Sequence, residues 1–249
     1  MVEFNFSGSV RAIEVFDYDS YSILTKQGEL YTESWKTKIS TSFRFPIIRR
    51  MDNEHILIAE MRSKENDKNA QIYNKKGDLI DSFVIGDAVQ DILVFDRKII
   101  VSYFDEGVMA QKKFSKEGLI IFNKKGKMIW GFNSNTPFEI WDCYHIIKTG
   151  IDKVLFFGYG KFPICELDIN FQTIEEIEIP FERFGSIESI SCFDNKIFWK
   201  TAKEVLCFDR SDNSLRQLKE FDKKDKRKLL KNSLLLIKKE GFEIERIDF

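Results

Sequence analysis

What this chain lacks narrows it quickly. Its 249 residues include four cysteines, Cys143, Cys165, Cys192 and Cys207, and no two of them form a C-x-x-C pair. That argues against zinc-ribbon and thioredoxin-like motifs and leaves buried, reduced thiols that pack as small hydrophobes. No apolar run approaches the roughly 20 residues that cross a bilayer. The first residues, MVEFNFSG, carry no basic segment followed by an apolar one. A cytoplasmic protein with no membrane partner is therefore expected. Neither sign of charge dominates, with 39 Lys and Arg against 40 Asp and Glu, which argues against a general polyanion binder. There is no Gly-rich phosphate loop, and no aromatic-interleaved basic module of the kind that reads nucleic acid. No Pro/Gly/Ser-rich linker interrupts the chain, so residues 1–249 read as a single domain.

What is present is 43% hydrophobic residues with 24 Phe, set in short β-branched and aromatic runs that recur. The clearest pair is QIYNKKGDLI (71–80) and IIFNKKGKMI (120–129). Each reads as a strand, a tight turn in which Asn-Lys-Lys-Gly supplies the positive φ, and a second strand. Weaker copies stand at Leu30-Tyr31, Leu167-Asp168, Phe208-Asp209 and Ile247-Asp248. A second marker closes an apolar run on a large residue before Asp or Asn, as in VFDRKIIV (94–101) and CFDNKIFW (192–199). Both markers recur in the same order about every 40 to 50 residues, without a helical period, which predicts the four short strands of a β-propeller blade.

Six copies fit, at about 41 residues each, where seven would leave too few for a four-stranded blade. The last copy runs out after its third strand, while Val2-Glu3-Phe4-Asn5-Phe6 precedes the first full repeat. The expected fold is thus all-β, a six-bladed β-propeller whose N-terminal strand completes the last blade and removes an open sheet edge. Innermost strands are expected to begin near Ser9, Phe45, Ala88, Phe138, Ile187 and Lys226, with 222–231 a charged loop.

The strand-turn-strand units resemble blades of NHL and quinoprotein-like propellers. More specifically, IVSYFDEGV (100–108), GLIIFN (118–123), Asp142-Cys143-Tyr144 and Phe162-Pro163 resemble a group of uncharacterised bacterial propeller proteins. The resemblance covers roughly residues 86–170. It implies the fold and a shared region of interest, and brings no activity with it.

Candidate residues follow from the expected topology. In propellers, the second-to-third-strand loops and the connections between blades share one face. The longest such loop is 104–117, holding Asp105-Glu106-Gly107 with Tyr103 at its start. An acidic pair there could accept bonds from a basic partner or hold a hard cation, or form a solvated turn whose Gly107 supplies φ > 0. Tyr159 and Lys161, in the equivalent loop of the next blade, would lie beside it. Gln90, Asp91, Asp142, Cys143 and Ser189 are expected at matching depth on inner strands, with Ala12, Ile47 and Lys226 at that level in the other blades. The polar members resemble part of the carboxylate ring that holds a divalent ion in six-bladed hydrolases, with Asp91 and Asp142 as the weak metal candidates, but the ring is incomplete. Cys143 and His145, two apart on one strand, invite a Cys/His reading, against which a satisfied, buried histidine is the plainer one. A basic run at 219–231 and an acidic one at 174–188 could steer a partner.

The expectation is therefore a monomeric ligand- or protein-binding scaffold using the loop face of blades three and four, with no cofactor and no nucleic acid partner. The alternative is a small-molecule hydrolase or lyase with a divalent ion in the channel.

Overall fold

A computed structural model of the chain describes residues 2–6, 8–17, 19–64, 66–95, 97–159, 164–177, 187–222 and 225–247. Six sheets of four antiparallel strands form the molecule. After β1 (Val2–Asn5), blade 1 is β2 (Val10–Asp17), β3 (Ser20–Thr25), β4 (Glu29–Thr32) and β5 (Lys36–Lys38). Blade 2 is β6 (Pro46–Arg50), β7 (His55–Glu60), β8 (Ala70–Asn74) and β9 (Leu79–Phe83). Blade 3 is β10 (Val89–Val94), β11 (Lys98–Tyr103), β12 (Leu119–Asn123) and β13 (Met128–Gly131). Blade 4 is β14 (Asp142–Lys148), β15 (Lys153–Tyr159), β16 (Ile164–Asp168) and β17 (Thr173–Ile177). Blade 5 is β18 (Ser189–Phe193), β19 (Lys196–Lys200), β20 (Glu204–Asp209) and β21 (Ser214–Glu220). Blade 6 is β22 (Lys228–Leu230), β23 (Ser233–Lys238) and β24 (Gly241–Arg246), with β1 as its outer strand.

The ring closes as the repeat count predicts. β1 pairs antiparallel with β24, Val2 opposite Ile244 and Phe4 opposite Phe242. The Phe4 and Phe242 rings stack at 4.6 Å. Innermost strands of neighbouring blades touch all the way round, including β2 with β22.

The hydrophobic core is correspondingly divided. Each of the six blade interfaces carries its own buried cluster, from Ile48 and Ile56 against Leu24 between blades 1 and 2 to Phe242 and Ile244 against Ile23 between blades 6 and 1. This explains why the strands read as continuous apolar runs. Side chains alternate across a strand, so Ile99 and Val101 pack toward blade 2 while Ile100 packs toward blade 4. Both faces of a blade are buried.

The two Asn-Lys-Lys-Gly turns are built identically. Asn74 Oδ1 accepts from Lys76 N at 2.9 Å and Asp78 N at 3.0 Å, and Asn123 Oδ1 does the same for Lys125 and Lys127 at 2.9 and 3.0 Å. Their glycines sit at φ 88° and 72°. Gly126 is also needed for space, because a Cβ there would lie 2.2 Å from the Phe83 ring.

Inner strands begin near the expected residues in every blade except the fourth. There the chain first makes a short helix, α2 (Phe132–Asn135), and β14 starts only at Asp142. The described part of 222–231 holds no helix.

Candidate functional site

Strand direction puts the second-to-third loops and the blade-to-blade connections on one face, here called upper, and the remaining turns on the lower face. The long upper loop of blade 3 folds as a short helix, α1 (Asp105–Met109), followed by a 3-10 turn (Ser115–Glu117). Gly107 does not supply a positive φ. It is small because Ala88 and Ser115 come so close that a Cβ would lie 2.8 and 2.7 Å from theirs. Ser115 Oγ bonds the Asp87 carbonyl, and the Asp87 carboxylate accepts from Ser63 N at 2.9 Å and pairs with Lys112, fastening the insertion to the entry of β10.

The connection into blade 4 is fastened just as firmly. Asn133 Nδ2 donates to the carbonyls of Lys116 at 2.8 Å and Ile140 at 3.0 Å, and Asn133 Oδ1 accepts from Ile140 N at 2.8 Å. Glu117, only 2% exposed, accepts from Ser134 N at 2.9 Å and Ser134 Oγ at 2.6 Å. Gly131 makes room for it, since a Cβ would lie 2.6 Å from the Glu117 carboxyl. Between these two rigid segments opens a cleft of about 430 Å³, with Val108, Met109 and Trp141 as apolar walls and Lys116, Glu117 and Glu139 as charged ones. Met109 is 62% and Trp141 48% exposed.

Asp105, Glu106 and Asp142 come together beside this cleft. Glu106 pairs with Arg62 of blade 2. Asp142 is buried, and its Oδ1 has no hydrogen-bond partner. Burial, reinforced by the Asp105 charge and opposed by a bond from the Asp105 backbone, pushes its carboxyl up to about 6. Tyr159 lies opposite Asp142 through its backbone, while Lys161 lies outside the described residues, as does most of the acidic run 174–188. Tyr103 is elsewhere: fully buried, its hydroxyl donates to the Ile85 carbonyl.

Because the Asp142 carboxyl holds its proton in the fold to about pH 6 but in the unfolded chain only to 3.8, its cost to stability is absent below the lower value and complete above the higher. Asp142→Asn is expected to match wild type near pH 4 and to be more stable by about 2 kcal/mol at pH 8. Urea unfolding at both values reads this, and equal stability at pH 8 would show that the carboxylate ionises without penalty.

Asp91 lies in the channel, apart from this cluster. Its carboxylate pairs with Arg49, whose Nε also lies 3.6 Å from Glu14 Oε1. The polar level of blades 1 and 2 is therefore Glu14 and Arg49, two residues beyond Ala12 and Ile47. Bulges contribute to this shift, each adding one residue to an inner strand, at Arg11, Gln90 and Tyr144. The Tyr144 bulge also separates the Cys/His pair. Cys143 faces Gly158 and His145 faces Phe157, which puts them on opposite sides of the sheet. Burial pushes the Cys143 thiol well up and the His145 imidazole down.

The channel residues share one task. Among the described residues, at five of the six interfaces a side chain of one inner strand bonds the backbone at the inner edge of the next blade. Glu14 accepts from Arg50 N at 2.6 Å, Arg49 donates to the Ile92 carbonyl and Gln90 to the Tyr144 carbonyl at 3.2 Å. His145 bonds the Ile187 backbone, and Ser189 Oγ accepts from Leu229 N at 2.8 Å. Inner strands have one unpaired edge, and each of these side chains satisfies a backbone group on it. Among the described residues, no three His, Cys, Asp or Glu side chains are placed to hold a metal ion together. Within the basic run, Arg227 pairs with Asp225 and Glu245, and Lys219 pairs with Glu245.

No protein-family model matches the chain, and no curated protein matches it. Solved structures do. The extracellular domain of a B. thetaiotaomicron protein described as a one-component system aligns at TM-score 0.58 and 12% identity over 96% of this chain, which spans 33% of that one. The β-propeller domain of Cps50 (Swd1) from Myceliophteria thermophila aligns at TM-score 0.61 and 8% identity, covering 96% of this chain and 84% of that one. The WD40 β-propeller domain of Doa1 aligns at 0.53 and 11%, covering 97% and 94%. At such identities the likeness is one of fold.

Proposed function

We propose that this propeller is a binding scaffold whose protein or small-molecule partner seats on the upper face of blades 3 and 4. The observation that carries the reading is the cleft between α1 and the connection into blade 4. Its walls are fixed by buried hydrogen bonds, yet Met109 and Trp141 stand open to solvent. An exposed tryptophan on a rigid rim is the side chain most enriched among residues that dominate binding energy. Asp105 on the neighbouring helix, beside a Glu106 that already pairs with Arg62, favours a partner that brings a cation to the edge of an apolar contact. The channel offers less to a ligand, because most of its polar side chains join one blade to the next, although Gln90 Oε1 has no partner.

The test is capture from native lysate, with mass spectrometry and metal analysis, comparing wild type with Trp141→Ala and with an Asp105→Ala, Glu106→Ala double variant. Trp141→Ala is expected to change stability by no more than about 0.5 kcal/mol and to weaken capture of the specific partner at least roughly tenfold. Capture unaffected by both variants would remove the upper face as the binding surface. A stoichiometric divalent ion without a partner would move the site to the channel.

A further inference from the structure

The lower face carries a second surface, unlike the first in shape and sign. Ile151, in the turn between β14 and β15, is 88% exposed, and Phe171, in the turn between β16 and β17, is 79% exposed. These two turns are adjacent, since Ile169 N donates to the Asp152 carbonyl at 2.9 Å. Lys98 of blade 3 joins them to the next blade, its ammonium donating to the Ile169 carbonyl at 2.7 Å and to Asn170 Oδ1 at 2.5 Å. Both acceptors are neutral, and Asp168, whose carboxyl is held below its usual range chiefly by the bond from Phe171 N, also feels the Lys98 charge. Lys98 is itself paired with Asn123, where the Lys124-Lys125-Gly126-Lys127 turn begins. Arg97 and Lys148 lie at the same end of their strands, Lys148 over the Phe95 ring at 4.7 Å. The acids along this edge are Asp152, Asp168, the buried Glu166 held by Lys153 and Arg210 and, in sequence, Asp96. Asp168 faces its own turn, accepting from Asn170 N at 2.9 Å and Phe171 N at 3.0 Å.

We propose that the lower edge of blades 3 and 4 docks on an anionic lipid surface, Phe171 and Ile151 entering the acyl boundary while Lys124, Lys125 and Lys127 lie among the headgroups. Three features favour lipid over a protein partner. The apolar side chains sit on convex turn tips, which a fluid interface accepts without a matching pocket. Lys98 lies beside them and the turn of Lys124, Lys125 and Lys127 begins opposite it, and long lysine stems keep the ammonium at headgroup level while the apolar tip descends. Bases outnumber acids along this edge in a chain that is neutral as a whole, as expected for a surface that binds by one apolar and one electrostatic signal together. The expectation of no membrane partner rested on the lack of a spanning run, and docking by turn tips needs none. It would leave the upper face of the same blades open to the scaffold's partner.

Co-sedimentation with vesicles tests this directly. Binding is expected to mixed phosphatidylcholine–phosphatidylserine vesicles and not to pure phosphatidylcholine, weakening as salt is added. The exposed pair Phe171→Ser, Ile151→Ser should leave the melting temperature unchanged and weaken binding roughly tenfold or more. Lys124→Glu with Lys125→Glu should weaken it by roughly 25-fold or more. In Phe171→Trp, emission should shift to the blue on adding the anionic vesicles, relative to wild type. No binding to the phosphatidylserine vesicles, or binding untouched by both variants, would overturn the proposal. So would a concentration-dependent dimer that the Ser pair abolishes in a protein that ignores vesicles, since the patch would then join two copies of this chain.

Discussion

Arg49→Met is expected to cost about 3 kcal/mol, because a part-buried guanidinium, its side chain 17% exposed, that serves three blades at once cannot be replaced by water. From β6 it donates to the Ile92 and Ile48 carbonyls, pairs with Asp91 of blade 3 and lies 3.6 Å from Glu14 of blade 1. Methionine keeps the stem's volume and removes every donor. Some of the loss is recovered, since Asp91 still accepts from Ile92 N at 2.7 Å and Glu14 from Arg50 N at 2.6 Å, which keeps the figure below the upper end for a broken buried pair. The pH dependence identifies the cause. Burial raises the Glu14 carboxyl from 4.5 to about 7, against the opposing pull of Arg49. A raised carboxyl costs the fold nothing below the unfolded value and increasingly more above it, until it ionises in the fold as well. Without Arg49 the folded value moves higher still. Wild type and variant should therefore diverge further as pH rises through 7. Urea unfolding across that range reads it, and a constant gap would mean that Arg49 acts by packing alone.

Glu166→Gln is the second large effect, and its dependence on pH lies in the acid range instead. Glu166 is 3% exposed on β16 and accepts from Lys153 Nζ, Arg210 Nη1 and Thr149 Oγ1, each at 2.9 Å. Arg210 belongs to blade 5, so this carboxylate joins two blades on the lower face. Burial alone would raise its carboxyl, but the bonds from Arg210, Lys153 and Thr149 outweigh it and hold it at about 2, from 4.5. Its stabilisation is complete above the unfolded value and is lost as pH falls toward the folded one. The amide variant is expected to lose about 2 to 3 kcal/mol at pH 7, less than a fully enclosed pair because Lys153 and Arg210 reach solvent once freed. The deficit should shrink as pH drops from about 4.5 toward 2. Melting temperatures at pH 7 and pH 3 suffice, and a deficit that stays the same at both would show that the carboxylate's charge is not what stabilises the junction.

Much of the architecture was legible because it repeats. Asn74 and Asn123 signal their turns locally, and Val2–Asn5 could be assigned to the last blade because Ile247 ended a repeat one strand short. The upper loop of blade 3 was legible by length, and Asp105, Glu106 and Asp142 do come together there. Side chains whose partners are distant in sequence were not. Arg49 and Asp91 are 42 residues apart and Glu166 and Arg210 are 44, and no local pattern marks either pair. Two arginines in succession within an apolar inner strand were a usable signal for Arg49, as was a lone Glu14 in the middle of β2. Bulges hid more, because each shifts the side-chain alternation by one residue and reverses the face of every later residue in the strand. That is how Cys143 and His145 came to look like neighbours. The cleft at Trp141 was missed for another reason: its walls are two short helices, α1 and α2, each too brief to show a period.

Hydrogen exchange on the purified protein, alone and with its captured partner, tests the upper face most directly. Protection on binding is expected at 104–117 and 132–144, the two walls of the cleft, with little change in the lower turns. Protection confined to the channel strands or to blades 5, 6 and 1, with 104–117 and 132–144 exchanging as in the free protein, would contradict it.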